Sequence, residues 1–130
     1  MNDLNFVNML ENDESLFDKK FNELTEFYHL RNHDKVLNYI NKHKGLIILL
    51  NELKPNLIDN FPNAKFDLIF YTDPEVKELS HLILYVKVDD YTFDNGVMED
   101  IDKIRLEFMP LRQKLGVMPN LSIMPALYDW

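Results

Sequence analysis

The chain has 130 residues, with 22 Asp and Glu against 14 Lys and Arg, which gives a formal net charge of −8. This balance argues against a nucleic-acid backbone as the main partner, because phosphate binding needs clustered Lys and Arg, and it fits a basic protein partner better. The chain has no cysteine, which excludes disulfides, thiolate zinc sites and cysteine nucleophiles.

The N-terminal part of the chain is predicted to be helical. Apolar residues recur at spacings of three and four between Leu16 and Tyr28, and Asp13 or Ser15 can cap the helix that they define. The first ten residues lack the positive region and the apolar core of a signal peptide. The longest apolar run, Leu46 to Leu50, is far too short to cross a membrane. We therefore expect a cytoplasmic protein without a membrane segment.

The polar run from Arg31 to Asp34 predicts a break between two helices. Asn32 or Asp34 is placed to cap the second of them, and Gly45 is expected at its C-terminal end. A further helix is predicted from Leu46 to Phe61, because the apolar residues there continue the helical period.

The sequence changes character at Pro62. Residues Lys65 to Thr72 and His81 to Val88 are rich in Phe, Ile, Leu, Tyr and Val, which predicts two strands. Between them, Asp73 can cap a short helical turn that has Pro74 in its first position.

A long amphipathic helix is predicted from Val97 to Leu115, after a turn-like stretch from Asp89 to Gly96. Pro110 is expected to kink or end this helix. Leu121 to Leu127 is predicted to form the last strand. Pro125 cannot donate a hydrogen bond to a neighbouring strand, so this strand is expected at an edge of the sheet.

These elements predict an α+β fold, with a helical N-terminal half followed by a β-β-α-β unit that forms a small, mostly antiparallel sheet. We expect a single domain over residues 1–130, with a helical region over about residues 1–61 and the β-β-α-β region over about residues 62–130.

The block from Phe61 to Val88 carries a resemblance. It contains Phe-Pro-x-Ala, a predicted strand, Asp-Pro-Glu and a second predicted strand. In this it resembles small uncharacterised prokaryotic α+β proteins that share a strand, Asp-Pro-Glu, strand, helix pattern after a helical N-terminus. The resemblance covers about the second half of the chain. It implies the fold and carries no activity, cofactor or catalytic residue.

The two predicted strands separate their side chains onto two faces. One face is apolar throughout and is expected to be core: Phe66, Leu68, Phe70, Leu82, Leu84, Val86 and Val88. The other face mixes polar, aromatic and aliphatic side chains: Asp67, Ile69, Tyr71, His81, Ile83, Tyr85 and Lys87. If the strands pair antiparallel, Asp67 is expected opposite Lys87 and Ile69 opposite Tyr85.

The mixed face has two interpretations. In the first, the N-terminal helices half cover it, and Asp67 pairs with Lys87 at its rim. In the second, it is an open contact surface lined by aromatic side chains. The C-terminal segment likewise either packs back on the domain or offers an aromatic anchor, and its edge strand could pair with a second copy of the chain. The candidate partner-binding residues are Tyr71, His81, Tyr85, Lys87, Tyr128 and Trp130.

Few residues point to catalysis. The carboxylates near the strand ends, Asp67, Asp73, Glu75 and Asp90, are candidate metal ligands for a small hydrolase or nuclease. His29 and His33 have the spacing of a helical metal pair, but the predicted break near Asn32 separates them, and a solvated helix end is the simpler interpretation. No glycine-rich phosphate loop and no serine nucleophile elbow occur in the sequence.

The sequence therefore predicts a non-enzymatic, acidic protein-interaction module that needs no cofactor. Its partner is expected to be a basic protein, as in an antitoxin-like pair, or a second copy of the chain. A metal-dependent hydrolase or nuclease is the alternative, and direct binding of nucleic acid is disfavoured by the charge.

Overall fold

The structure, a computed structural model, describes residues 3–130 and confirms the α+β class. The helices of this part of the chain are α1 (Asp3–Asn12), α2 (Glu14–Thr25), α3 (His33–Lys42), α4 (Gly45–Asn60), α5 (Asp90–Asp94) and α6 (Val97–Leu115). The strands are β1 (His29–Leu30), β2 (Lys65–Tyr71), β3 (His81–Val88) and β4 (Leu121–Leu127). Short 3-10 turns lie at Lys77–Leu79 and Met118–Asn120.

Strong periodicity gave correct boundaries in the second half of the chain, where β3, β4 and α6 coincide with the predicted ranges. The predicted turn before α6 contains the short helix α5. The strand β1 was not predicted. It has only two residues, and it owes its conformation to pairing with β2 rather than to a local pattern.

The four strands form one sheet in the order β1-β2-β3-β4. The central pair β2–β3 is antiparallel, whereas β1 and β4 run parallel to their neighbours, so the sheet is mixed. Asp67 lies opposite Tyr85, and Ile69 lies opposite Ile83, so the predicted register was wrong by two residues. A shift of two residues leaves every side chain on its predicted face.

All the helices that contribute to the core pack on one face of the sheet. Their buried side chains form one cluster with the predicted core face: Phe66, Leu68, Leu82, Leu84, Val86 and Val88. The mixed face contributes no residue to this cluster. The buried side chains of the N-terminal helices thus lie on the opposite side of the sheet, so the expectation that these helices half cover the mixed face receives no support within residues 3–130.

Helix α4 is the centre of the helical layer. Residues 45–50 are all buried, and the hydroxyl of Tyr28, just after α2, donates a hydrogen bond to the carbonyl of Leu50 at 2.6 Å. Gly45 begins α4 instead of ending α3, which corrects the sequence prediction. A Cβ atom at Gly45 would lie 3.1 Å from the carbonyl oxygen of Leu115, so the glycine permits the close approach of α4 to the end of α6.

Both long helices continue through a proline. Pro55 lies inside α4 and Pro110 inside α6, which therefore does not end there. Each proline leaves the carbonyl four residues earlier without its helical partner. Those residues, Asn51 and Leu106, are exposed, so water can satisfy their carbonyls.

Strand β4 lies at an edge of the sheet, as Pro125 predicts. Two arginines of α6 donate hydrogen bonds to carbonyl groups at this edge: Arg105 to Ile123 and Arg112 to Leu121 at 2.6 Å, both in β4, and Arg112 also to Met118 in the turn before it. Because these acceptors are occupied, the edge of β4 is a poor template for the strand addition that the sequence suggests.

Candidate functional site

The mixed face of the sheet lies opposite the helical core and is the candidate functional surface. A row of side chains crosses all four strands in register, from His29 through Asp67 and Tyr85 to Met124. Most side chains of this face are half-buried, whereas Asp67 is buried and Tyr71 and Met124 are exposed. The face is therefore open in part.

Asp67 is the most buried polar group of this face, with its side chain only 5% exposed. Its carboxylate accepts hydrogen bonds from Arg31 Nε at 2.9 Å and from Lys87 Nζ at 3.3 Å. The ring of His29 lies 3.5 Å from its other oxygen. The predicted pairing of Asp67 with Lys87 is confirmed, although the lysine reaches it diagonally because of the shifted register.

The two cations determine the protonation of Asp67. Burial alone would raise the pKa of this carboxyl group, but the hydrogen bonds and charges of Arg31 and Lys87 outweigh it and hold the pKa below the usual value. Asp67 is therefore a carboxylate at neutral pH. It serves as an acceptor for fixed cations and is not poised to donate a proton.

A cavity of about 610 Å³ opens beside Asp67 at the end of the sheet. Its polar lining consists of His29, Lys65, Asp67 and Lys87, and its apolar wall includes Phe27, Phe61 and Phe66. Lys65 and Lys87 lie directly opposite each other on β2 and β3. Two like charges in such positions repel each other, so this end of the sheet is locally cationic in an acidic chain.

Next to this cationic cavity, the same end of the sheet carries aromatic side chains. The rings of Tyr85 and Trp130 meet edge-on with centroids 5.9 Å apart, and the guanidinium of Arg31 lies 5.4 Å from the ring centroid of Tyr85. Trp130 remains 63% exposed. Together with Phe93 and the end of β4, these rings line a groove of about 500 Å³.

Acidic side chains border this aromatic groove. A second cavity of about 210 Å³, lined in part by Asp89 and Asp90, adjoins it, and both cavities share Leu127 and Asp129. Residues 89–102 contain six acidic and no basic side chains. Asp90 and Asp129 form no ion pair with any residue in the range 3–130. We call the two cavities together the acidic-aromatic groove.

The predicted partner-binding residues do not form one cluster. Tyr71 and His81 contact each other edge-on at 5.6 Å, about 13 Å along the strands from the row that contains Tyr85. The His81 ring also lies 2.9 Å from the hydroxyl of Ser122. The side chain of Tyr128 is fixed to the domain, since its hydroxyl donates a hydrogen bond to the carbonyl of Asn63 at 2.6 Å. Tyr85, Lys87, Tyr128 and Trp130 line the cavities described above, whereas Tyr71 and His81 do not.

The carboxylates considered as metal ligands are dispersed. In residues 3–130 no group of three or more His, Asp or Glu side chains is arranged to hold a metal ion. Asp73 accepts hydrogen bonds from the backbone amides of Glu75 and Val76, at 3.0 and 2.8 Å, so it caps a turn as predicted. Glu75 and Asp90 are exposed, with Asp90 in the first turn of α5.

Sequence reasoning missed His29, Arg31 and Lys65 as members of the site. His29 and His33 lie in different elements, β1 and α3, which agrees with the predicted break. Arg31 reaches Asp67 only because β1 pairs with β2, and that pairing leaves no local signal. Lys65 could have been found, because its alternation along β2 places it on the same face as Asp67.

Comparison with protein-family models, curated proteins and solved structures finds no match for this chain. Within residues 3–130, none of the helices combines the length and the apolar character needed to span a membrane.

Proposed function

We propose that the protein is a non-enzymatic interaction module that binds a Lys- and Arg-rich segment of a basic partner protein, in the cytoplasm as the sequence predicts. The acidic-aromatic groove is the proposed contact. The observation that carries the proposal is the exposed ring of Trp130 packed on Tyr85 at the edge of the sheet face that lies opposite the helical core.

The chemistry of the groove suits cationic side chains. Its walls offer aromatic faces to a guanidinium or ammonium group, and such contacts contribute about 0.5–2 kcal/mol each. Asp90 and Asp129 add carboxylates that can pair with a partner's cations at the rim, and Asp89, which caps α5, adds to the negative charge there. Phe93 of α5, itself 38% exposed, adds a third ring to the aromatic wall.

A second copy of the chain is a weaker occupant for the groove. The chain carries a net charge of −8, so two identical acidic surfaces would repel each other. The outer edge of β4 is also occupied by Arg105 and Arg112. Both observations favour a partner of opposite charge.

The test uses the only tryptophan of the chain as a reporter. Synthetic peptides of Lys or Arg alternating with Leu are titrated into the protein, with peptides in which Glu replaces each cation as controls. We expect the cationic peptides alone to change the emission of Trp130, with binding that weakens as salt rises. The double variant Asp90→Asn with Asp129→Asn should weaken the Kd about tenfold.

A matched control removes the same charge elsewhere. Asp18→Asn combined with Asp34→Asn alters exposed positions on α2 and α3 and should leave the Kd unchanged. The proposal is wrong if the Glu peptides bind equally well, or if the groove variant binds like this control. It is also wrong if sedimentation shows a dimer that Trp130→Ala dissociates, because the groove would then hold a second copy of the chain.

A further inference from the structure

We propose that the cavity beside Asp67 is a binding site for a small organic oxyanion, a carboxylate or a phosphate monoester that carries an apolar group. This site is separate from the acidic-aromatic groove and has the opposite charge. It does not depend on the proposed protein partner.

Positive charge exceeds negative charge around Asp67. Lys87 is only 13% exposed and Arg31 only 23%, and both bond to the single carboxylate of Asp67. Two mostly buried cations for one anion leave an excess positive charge, and burying such a charge is costly. Lys65 adds a third cation and forms no ion pair within residues 3–130.

Lys65 occupies an unfavourable position in the sheet. It lies directly across the antiparallel pair from Lys87, where a like charge destabilises the sheet by several tenths of a kcal/mol. An oxyanion bound between the two ammonium groups would attract both of them and offset their mutual repulsion. Lysine is well suited to such a ligand, because its ammonium group is a compact charge with three donors.

Lys87 has hydrogen-bond donors available for a ligand. The ammonium of Lys87 makes one hydrogen bond, to Asp67, within residues 3–130, which leaves two of its hydrogens for a ligand. The ring of His29 lines the same cavity. The ion pair with Asp67 fixes the position of the Lys87 ammonium group before any ligand binds.

The apolar wall determines the kind of ligand. Phe27 and Phe66 stack with centroids 5.2 Å apart and an angle of 13° between their planes, and Phe61 and Ile58 complete the wall. Inorganic phosphate would leave this surface without a contact. A cavity of about 610 Å³ accommodates an aromatic or branched aliphatic group next to the oxyanion.

Isothermal titration calorimetry tests the proposal with phenyl phosphate, benzoate, inorganic phosphate and neutral benzyl alcohol as probes. We expect phenyl phosphate or benzoate to bind at least about tenfold more tightly than inorganic phosphate and benzyl alcohol. The ratio between the first two probes distinguishes a phosphate ligand from a carboxylate ligand. Trp130 emission, which reports the other half of the sheet end, should not change.

Two variants locate the binding. Lys87→Gln should weaken the preferred probe about tenfold or more, and Lys65→Gln, at an exposed position that does not support the core, should weaken it severalfold. Lys35→Gln, an exposed lysine of α3, is the matched control. The proposal is overturned if neither oxyanion binds at millimolar concentration, if benzyl alcohol binds equally well, or if Lys65→Gln and Lys87→Gln both bind like the control.

Discussion

Asn32 and Phe70 exchange two hydrogen bonds between a side chain and a peptide group. The backbone amide of Phe70 donates to Asn32 Oδ1 at 2.9 Å, and Asn32 Nδ2 donates to the carbonyl of Phe70 at 3.0 Å. The carboxamide therefore takes the place of a strand residue and prolongs the pairing of β1 with β2. Asn32 was predicted as a possible helix cap and does occupy the N-cap position of α3, but its side chain forms no capping hydrogen bond there.

This pairing predicts that Asn32→Ala lowers the free energy of unfolding by about 1–3 kcal/mol, because both polar groups of Phe70 lose their partner. Asn32→Asp keeps an acceptor for the Phe70 amide but places a carboxylate oxygen against the Phe70 carbonyl, so it should destabilise the fold at least as much. Urea unfolding measures both variants. Asn38→Ala, at an exposed position of α3, is the control, and equal effects of Asn32→Ala and Asn38→Ala would contradict this account.

The environment of Asp67 predicts a dependence of stability on pH. Folding lowers the pKa of this group from 3.8, so the folded chain binds fewer protons than the unfolded chain at acidic pH. The stabilisation is complete above the unfolded pKa and is lost as the pH falls through the lower, folded pKa. Asp67→Asn should remove this part of the pH dependence, measured by urea unfolding between pH 2 and 7.

The same variant tests the buried ion pairs at neutral pH. Asp67→Asn leaves Arg31 and Lys87 without a counter-charge, and we expect the free energy of unfolding to fall by about 3 kcal/mol. Asp34→Asn, whose side chain is 96% exposed, should have little effect. Some acid sensitivity will remain in the variant, because backbone amides lower the pKa of Asp73 and of Asp89.

The close approach of α4 and α6 predicts that Gly45→Ala destabilises the fold. Alanine favours helix by up to about 1 kcal/mol over glycine, but its Cβ would lie 3.1 Å from the Leu115 carbonyl and 3.2 Å from Val117 Cγ1. Since a backbone atom cannot move aside alone, the helices must separate, at a cost of about 1–3 kcal/mol. Thermal unfolding of Gly45→Ala shows whether the substitution stabilises or destabilises the fold, and a raised Tm would contradict the predicted clash.

The opposition of Lys65 and Lys87 predicts a conflict between stability and binding. In buffer without oxyanions, Lys65→Gln should raise the free energy of unfolding by about 0.5 kcal/mol, because it removes a like-charge pair. High salt should reduce the gain by screening. Lys35→Gln, on α3, controls for the change in net charge. An equal increase in the free energy of unfolding in both variants would mean that net charge alone causes the effect.

Much of the fold follows from local pattern, because alternation along β2 and β3 and the helical period of α6 each reflect one buried face. The register of β2 and β3 does not follow from local pattern, since a shift of two residues leaves every side chain on the same face. The connection at residues 72–80 determines this register. The site is less predictable, because one of its members comes from a distant part of the sequence. Asp67 and Lys87 were found by alternation, whereas Arg31 joins them across 36 positions of sequence through a strand of two residues.

The order of the strands also bears on how the chain assembles. The central hairpin of β2 and β3 closes over residues 72–80, whereas the outer strands close much longer loops, since β1 pairs His29 with Asp67 and β4 pairs Leu121 with Leu82. Closing the longer loops costs more entropy, so we expect the hairpin to form early and the outer strands to join it later. Both proposed sites depend on an outer strand, β1 or β4. Their amides should therefore exchange with solvent at a lower free energy than those of the hairpin, and a bound ligand would protect them selectively.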